Sequence, residues 1–150
     1  MLKFVVRDES SLLLTADEPM SQEQLSQLEL LVEKRMARTP LSRVLGIKSF
    51  WKHEFLINEH VLDPRADSEV LVEQALLHLS NDVETTVLDL GTGSGCLLLS
   101  VLAERPKCRG LGVDISLDAL AVAKENAQSL DLIERVSFQQ GSWAVGVKQK

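Results

Sequence analysis

The sequence predicts an α/β chain whose C-terminal part is the first half of a doubly wound parallel sheet. Three observations carry this. From Thr86 onward, short apolar runs of strand type alternate with helical segments, the pattern of parallel strands joined by right-handed crossovers. The run Asp89-Leu-Gly91-Thr-Gly93-Ser-Gly95 falls between the first strand and the first of these helices. Asp114 ends the second strand, so two carboxylates, Asp89 and Asp114, come to the edge where open sheets bind ligands.

The elements follow in order. Residues 1–43 are expected to form a partial helical domain. Within them Leu12, Leu13 and Leu14 fit the end of a helix or a strand. Ser21 followed by Gln24 is a capping box, with a hydroxyl placed where the first free helical amides point. Leu25, Leu28, Leu31 and Val32 recur at helical spacing up to about Met36, and Pro40 lies beyond the end. Residues 44–65 read as a β-hairpin connector. Phe50, Trp51, Phe55, Ile57, Val61 and Leu62 suggest two short strands turning near Lys52–Glu54, broken by Pro64. Residues 66–150 hold the sheet. A helix starts at Asp67 or Ser68, with acidic residues suited to the positive end of its dipole. Strands at Thr86–Leu90, Gly110–Val113 and Val136–Phe138 alternate with helices at Cys96–Ala103 and Leu117–Leu130.

Composition narrows the function classes. Apolar residues are 45% of the chain, enough for a core. No apolar run approaches the ~20 residues of a membrane helix, and the N-terminus lacks a convincing signal peptide; the expected setting is the cytosol. A formal charge of −6 argues against a partner held by phosphate neutralisation, so no direct nucleic-acid contact is expected. Cys96 and Cys108 lack C-x-x-C spacing and read as small packing residues. His53, His60 and His78 form no metal-type cluster with them, so no metal site is expected.

The glycine loop carries the chemistry. Without a Cβ, a backbone can turn tightly and let a ligand approach, and the next helix offers unpaired amides. A nucleoside triphosphate loop would end in Gly-Lys-Ser/Thr, and no lysine follows here. A dinucleotide loop would be G-x-G-x-x-G, but Cys96 stands where its third glycine belongs. S-adenosylmethionine has no phosphate and needs neither feature. Asp89 can serve its ammonium, directly or through water, and the loop amides its carboxylate. Asp114 can accept hydrogen bonds from both ribose hydroxyls; otherwise it is a helix cap, with Ser116 as rival. Ser142 and Trp143 follow the third strand. The indole either packs on the adenine or fills the core.

Together these residues resemble the release-factor glutamine methyltransferase family, over roughly residues 10 to 143. Val87-Leu-Asp-Leu-Gly-Thr-Gly-Ser-Gly-Cys96 is similar to the family's glycine motif almost letter for letter. Val113-Asp-Ile-Ser116, with Ala119, Leu120, Asn126 and Ala127, resembles the second-strand block, and Gly141-Ser-Trp143 the block after the third strand. Arg43, Gly46, Phe50 and Phe55 fit the connector, and Asp63-Pro-Arg65 with Glu69 and Leu71-Val-Glu73 resembles the family's L-I-P-R-P-x-T-E-x-L-V-E segment.

The resemblance implies a Rossmann-like S-adenosylmethionine-dependent methyltransferase fold. It also implies an N-terminal domain that docks a peptide chain release factor, and methyl transfer to the glutamine side-chain nitrogen of its Gly-Gly-Gln motif. The cofactor residues expected on this basis are Asp89, Gly91, Thr92, Gly93, Ser94, Gly95, Asp114, Ile115, Ser142 and Trp143. The family clamps the acceptor amide with an Asn-Pro-Pro-Tyr motif, absent from these 150 residues; no catalytic residue is therefore assigned. Ala66 stands where the family favours proline, and Asp63 where it favours an apolar residue. The expectation is a truncated copy, inactive alone, with an uncovered sheet edge that invites self-association. A cofactor- or release-factor-binding fragment, a methyltransferase for another protein or nucleic-acid substrate, and a nicotinamide-dependent oxidoreductase are the alternatives.

Overall fold

A computed structural model describes residues 19–146; the expectation for Leu12–Leu14 falls outside them. The chain divides into two compact units, Met1–Gly46 and Ile47–Lys150.

In the first unit, α1 spans Gln22–Met36. The capping box forms as the sequence predicts: Gln24 N–H donates to Ser21 Oγ (3.2 Å), and Ser21 N–H to Gln24 Oε1 (2.9 Å). No residue of α1 is fully buried, and Leu28 and Leu31 are half-buried. Pro40 does more than follow this helix. It caps a short second helix, α2 (Leu41–Leu45), which ends at Gly46 with φ 72°. The connector predicted from residue 44 therefore opens in helix, because Pro40 supplies a fixed φ at a helix start and Gly46 an inexpensive left-handed stop.

In the second unit, β1 (Ile47–Phe50) and β2 (His53–Leu56) pair antiparallel, Phe50 opposite His53. Trp51 sits in the turn rather than in a strand, with φ 55°. Its N–H donates to Glu69 Oε1 (2.8 Å) and its indole N–H to Glu104 Oε1 (3.1 Å). Lys52 and the indole together hold the Glu104 carboxyl below the usual range. Phe50 and Phe55 meet edge to face and enter the core beside Val72, Leu98 and Leu102. Ile57 and Val61 lie in loop, not strand, yet both are buried. Their apolar surface, which made them look like strand residues, is taken up in a small cluster with Ala119 and Val122.

A 3-10 turn at Ala66–Ser68 leads into α3 (Glu69–His78). The parallel strands are β3 (Thr86–Leu90), β4 (Arg109–Asp114) and β5 (Val136–Gln140), in the order β3-β4-β5. The crossover helices are α4 (Cys96–Glu104) and α5 (Leu117–Ser129). This is the α/β half-sheet the alternation predicts. Helix α4 is apolar nearly all round, and Leu98, Leu99, Val101 and Leu102 are buried, as a central crossover helix requires. Arg135 donates to the carbonyls of Leu102, Arg105 and Cys108, closing the C-terminal end of α4. Among the described residues, no helix is long and apolar enough to cross a membrane, and no group of His, Cys, Asp and Glu could hold a metal ion.

Candidate functional site

The site forms where β3 and β4 end side by side. Leaving β3, the chain turns back on its neighbour: the N–H groups of Gly91 and Thr92 both donate to Val113 O (2.8 and 3.0 Å). Gly93 N–H donates to Asp114 Oδ2 (2.9 Å), and Gly95 N–H to Thr92 O (2.8 Å). These bonds commit the amides of Gly91, Thr92, Gly93 and Gly95 inside the protein and leave over that of Ser94. The expectation that the loop amides at large receive an anion is corrected accordingly. A loop this tight satisfies most of its own donors, since a buried unpaired amide is costly.

The three glycines do different work. Gly91 and Gly93 have φ 80° and 54°, and a Cβ on either would meet nothing within 4 Å. Their backbone faces open space, the cradle a ligand needs. Gly95 caps α4, and a Cβ there would press on Leu99 (3.0 Å) and Ala123 (3.3 Å). It is a packing glycine. Thr92 and Ser94 are buried, so their side chains face inward and not a ligand.

Asp114 is not the cap of α5. Ser116 takes that role, its Oγ accepting from Ala119 N–H (3.2 Å). The Asp114 carboxylate accepts Gly93 N–H at one oxygen and Ser116 N–H at the other (3.0 Å). Each carboxylate oxygen has room for a second donor. A cleft of about 210 Å³ opens here, lined by Gly91, Asp114, Ile115, Gly141, Ser142 and Trp143. Among the described residues Trp143 is 75% exposed, with φ 53°, and takes no part in the core they form. Ile115 is 72% exposed, so two apolar side chains flank the carboxylate.

Asp89 is placed elsewhere. It accepts Thr92 Oγ1–H (2.7 Å) and lines a second pocket whose walls are apolar side chains of α3, β3 and α4. Burial raises its pKa; the Thr92 hydrogen bond opposes the shift, and the nearby Asp114 charge adds to it. Cys96 opens α4 with a thiol whose pKa burial likewise raises, in keeping with a packing residue. Sequence reasoning left out two contributors. Gly141 lines the cleft and donates its N–H to Asp114 O (3.0 Å). Gln140 donates Nε2–H to Ile115 O (3.0 Å), steadying the strand end that carries Ile115. The block around Trp143 contained the signal for Gly141; nothing in the sequence marked Gln140.

Residues 81–149 match the family described as a methyltransferase domain, and residues 4–46 that described as a PrmC N-terminal domain. The chain is 45% identical over 128 residues to the release factor glutamine methyltransferase of Caulobacter vibrioides, covering 85% of this chain and 44% of the relative. The release factor glutamine methyltransferase of Rhodospirillum rubrum is 43% identical over 137 residues, covering 91% of this chain and 42% of its own. A bifunctional methyltransferase from Rickettsia felis is 34% identical over 171 aligned positions, covering 95% of this chain and 32% of its own. The chain thus spans less than half the length of these curated relatives, and the stretch it shares with them includes both the hairpin and the glycine loop.

Proposed function

We propose that this chain carries the S-adenosylmethionine site of a methyltransferase. The acceptor is the side-chain nitrogen of the glutamine in the Gly-Gly-Gln motif of a peptide chain release factor. The observation that carries the reading is one cleft holding the open backbone of Gly91, the Asp114 carboxylate and two exposed apolar side chains, Ile115 and Trp143.

The residues fit that nucleoside. The free acceptor capacity of Asp114 suits two ribose hydroxyls. Trp143 and Ile115 suit the two faces of an adenine, with Ser142 at its edge. The bare backbone of Gly91 and Gly93 admits the sulfonium end, and the Ser94 N–H is the loop donor left for its carboxylate. Asp89, outside the cleft, serves the ammonium through water, with Thr92 and Gly95 as supports of the loop. When bound, the sulfonium supplies an electrophilic methyl group. The chain's own residues bind, orient and shield it, so positioning contributes most on this side of the reaction. Residues 1–43 are proposed to dock the release factor, residues 44–65 to connect, and residues 66–150 to bind the nucleoside, in the cytoplasm. Among the described residues β3 pairs only with β4, and Leu88 on it is exposed, which favours association of the free chain along that edge.

Titration calorimetry tests the nucleoside reading. Saturable heat with S-adenosylhomocysteine, and none with ATP or NADH, is expected. Heat with NADH and none with S-adenosylhomocysteine would replace it with an oxidoreductase. A second reading is binding without transfer. Labelled methyl groups appearing on a release factor reject that second reading.

A further inference from the structure

Asn126 lies on α5, fully buried, and its carboxamide makes three hydrogen bonds. Oδ1 accepts the N–H of Leu56 (2.7 Å), while Nδ2 donates to Leu56 O (3.1 Å) and to Ser94 O (2.9 Å). Leu56 ends the hairpin strand β2, and Ser94 lies in the glycine loop. A carboxamide offers an acceptor and two donor hydrogens. Here it completes both backbone groups of Leu56 as a neighbouring strand would, and its remaining hydrogen goes to the loop.

The consequence falls on the Gly93–Ser94 peptide. Gly93 N–H is held by Asp114, and Ser94 C=O is held by Asn126. The peptide between these anchors carries the Ser94 N–H, the loop amide not used by the internal bonds of residues 91–95. Its direction therefore depends on Asn126, and through Asn126 on the hairpin. We propose that Asn126 is a positioning residue that ties the β-hairpin to the glycine loop, so that the two elements open and close as one unit and the Ser94 N–H is aimed by the hairpin. The part of this that concerns affinity rests on the nucleoside reading above; the mechanical part does not.

Amide hydrogen exchange on the full chain separates the two. Asn126→Ala removes all three bonds, and Asn126→Asp keeps the shape and the acceptor for Leu56 while losing both donations. Arg135→Ala, at the opposite end of α4, serves as a control matched in denaturation midpoint by choice of temperature. In ligand-free protein, both Asn126 variants should speed exchange of the Gly93 and Gly95 amides at least about tenfold beyond the control. They should also weaken S-adenosylhomocysteine binding by at least about tenfold, with the control unchanged. Equal loop exchange in all three proteins overturns the proposal, whatever the affinities. If the exchange difference stands but the parent chain takes up no S-adenosylhomocysteine, the ligand reading fails and the positioning role survives. Should the Asn126 variants not fold, the unaltered chain decides. Under increasing denaturant, the Leu56, Gly93 and Gly95 amides should become exposed with one common dependence. Separate dependences for hairpin and loop refute the tie.

Discussion

Gly91→Ala separates the loop's role in the fold from its role in the cleft. The residue has φ 80°, and a Cβ would meet no protein atom within 4 Å. No overpacking cost arises. The penalty is the left-handed backbone, about 1–2 kcal/mol for a residue with a Cβ. For a chain of this size that is a fall in Tm of roughly 2–8 °C. The new methyl projects into the space beside a residue that lines the cleft, so S-adenosylhomocysteine should bind at least about tenfold more weakly, ~1.4 kcal/mol. Gly110→Ala is the counterpart. Its Cβ would lie 2.9 Å from Leu102 Cδ1 and 3.0 Å from Leu98 Cδ1, deep in the sheet. It should lose about 1–3 kcal/mol to overpacking and keep its affinity. Denaturant melts and calorimetry on both variants provide the check. If Gly91→Ala binds as tightly as the parent, the open backbone at residue 91 is not where the ligand sits.

Three further outcomes follow from the same geometry. Burial raises the Asp89 pKa, so the folded state holds this proton more tightly than the unfolded chain. Its ionisation therefore erodes stability as pH rises from the ordinary value of 3.8 through the raised one. Asp89→Asn should flatten that slope and raise the urea midpoint at pH 7; a parallel profile at lower stability would mean that the Thr92 hydrogen bond outweighs burial. Arg135→Ala removes the guanidinium from the carbonyls that end α4 and should cost about 2–3 kcal/mol in equilibrium unfolding, with a loss under 0.5, on the order of an ordinary surface change, counting against it. Leu88→Lys places a charge on the open β3 edge and should shift sedimentation toward monomer; a parent chain that is monomeric at every concentration removes the proposed self-association.

Local chemistry explains which parts of the fold were legible in the sequence. The capping box at Ser21 and Gln24, the three parallel strands and the helices between them are written in spacing and turn residues, and each forms where expected. The errors fall where tertiary packing overrides local pattern. Ile57 and Val61 look like strand residues because they are apolar, but their burial is against Ala119 and Val122 in a loop. Trp51 looks like one as well, and is a turn residue held by Glu69 and Glu104.

The candidate site divides in the same way. Sequence by itself determined the residue types and their order: a glycine loop after a strand, an aspartate ending the next, a tryptophan after the third. Those depend on bond-scale rules, such as which residues tolerate positive φ and which carry a carboxylate. Only the tertiary structure decided which groups remain available. It spent four loop amides on Val113, Asp114 and Thr92 and moved Asp89 into a separate pocket. It also brought Asn126 between the hairpin and the loop. A hydrogen bond between residues distant in sequence is set by how the elements pack, and local spacing carries no record of it.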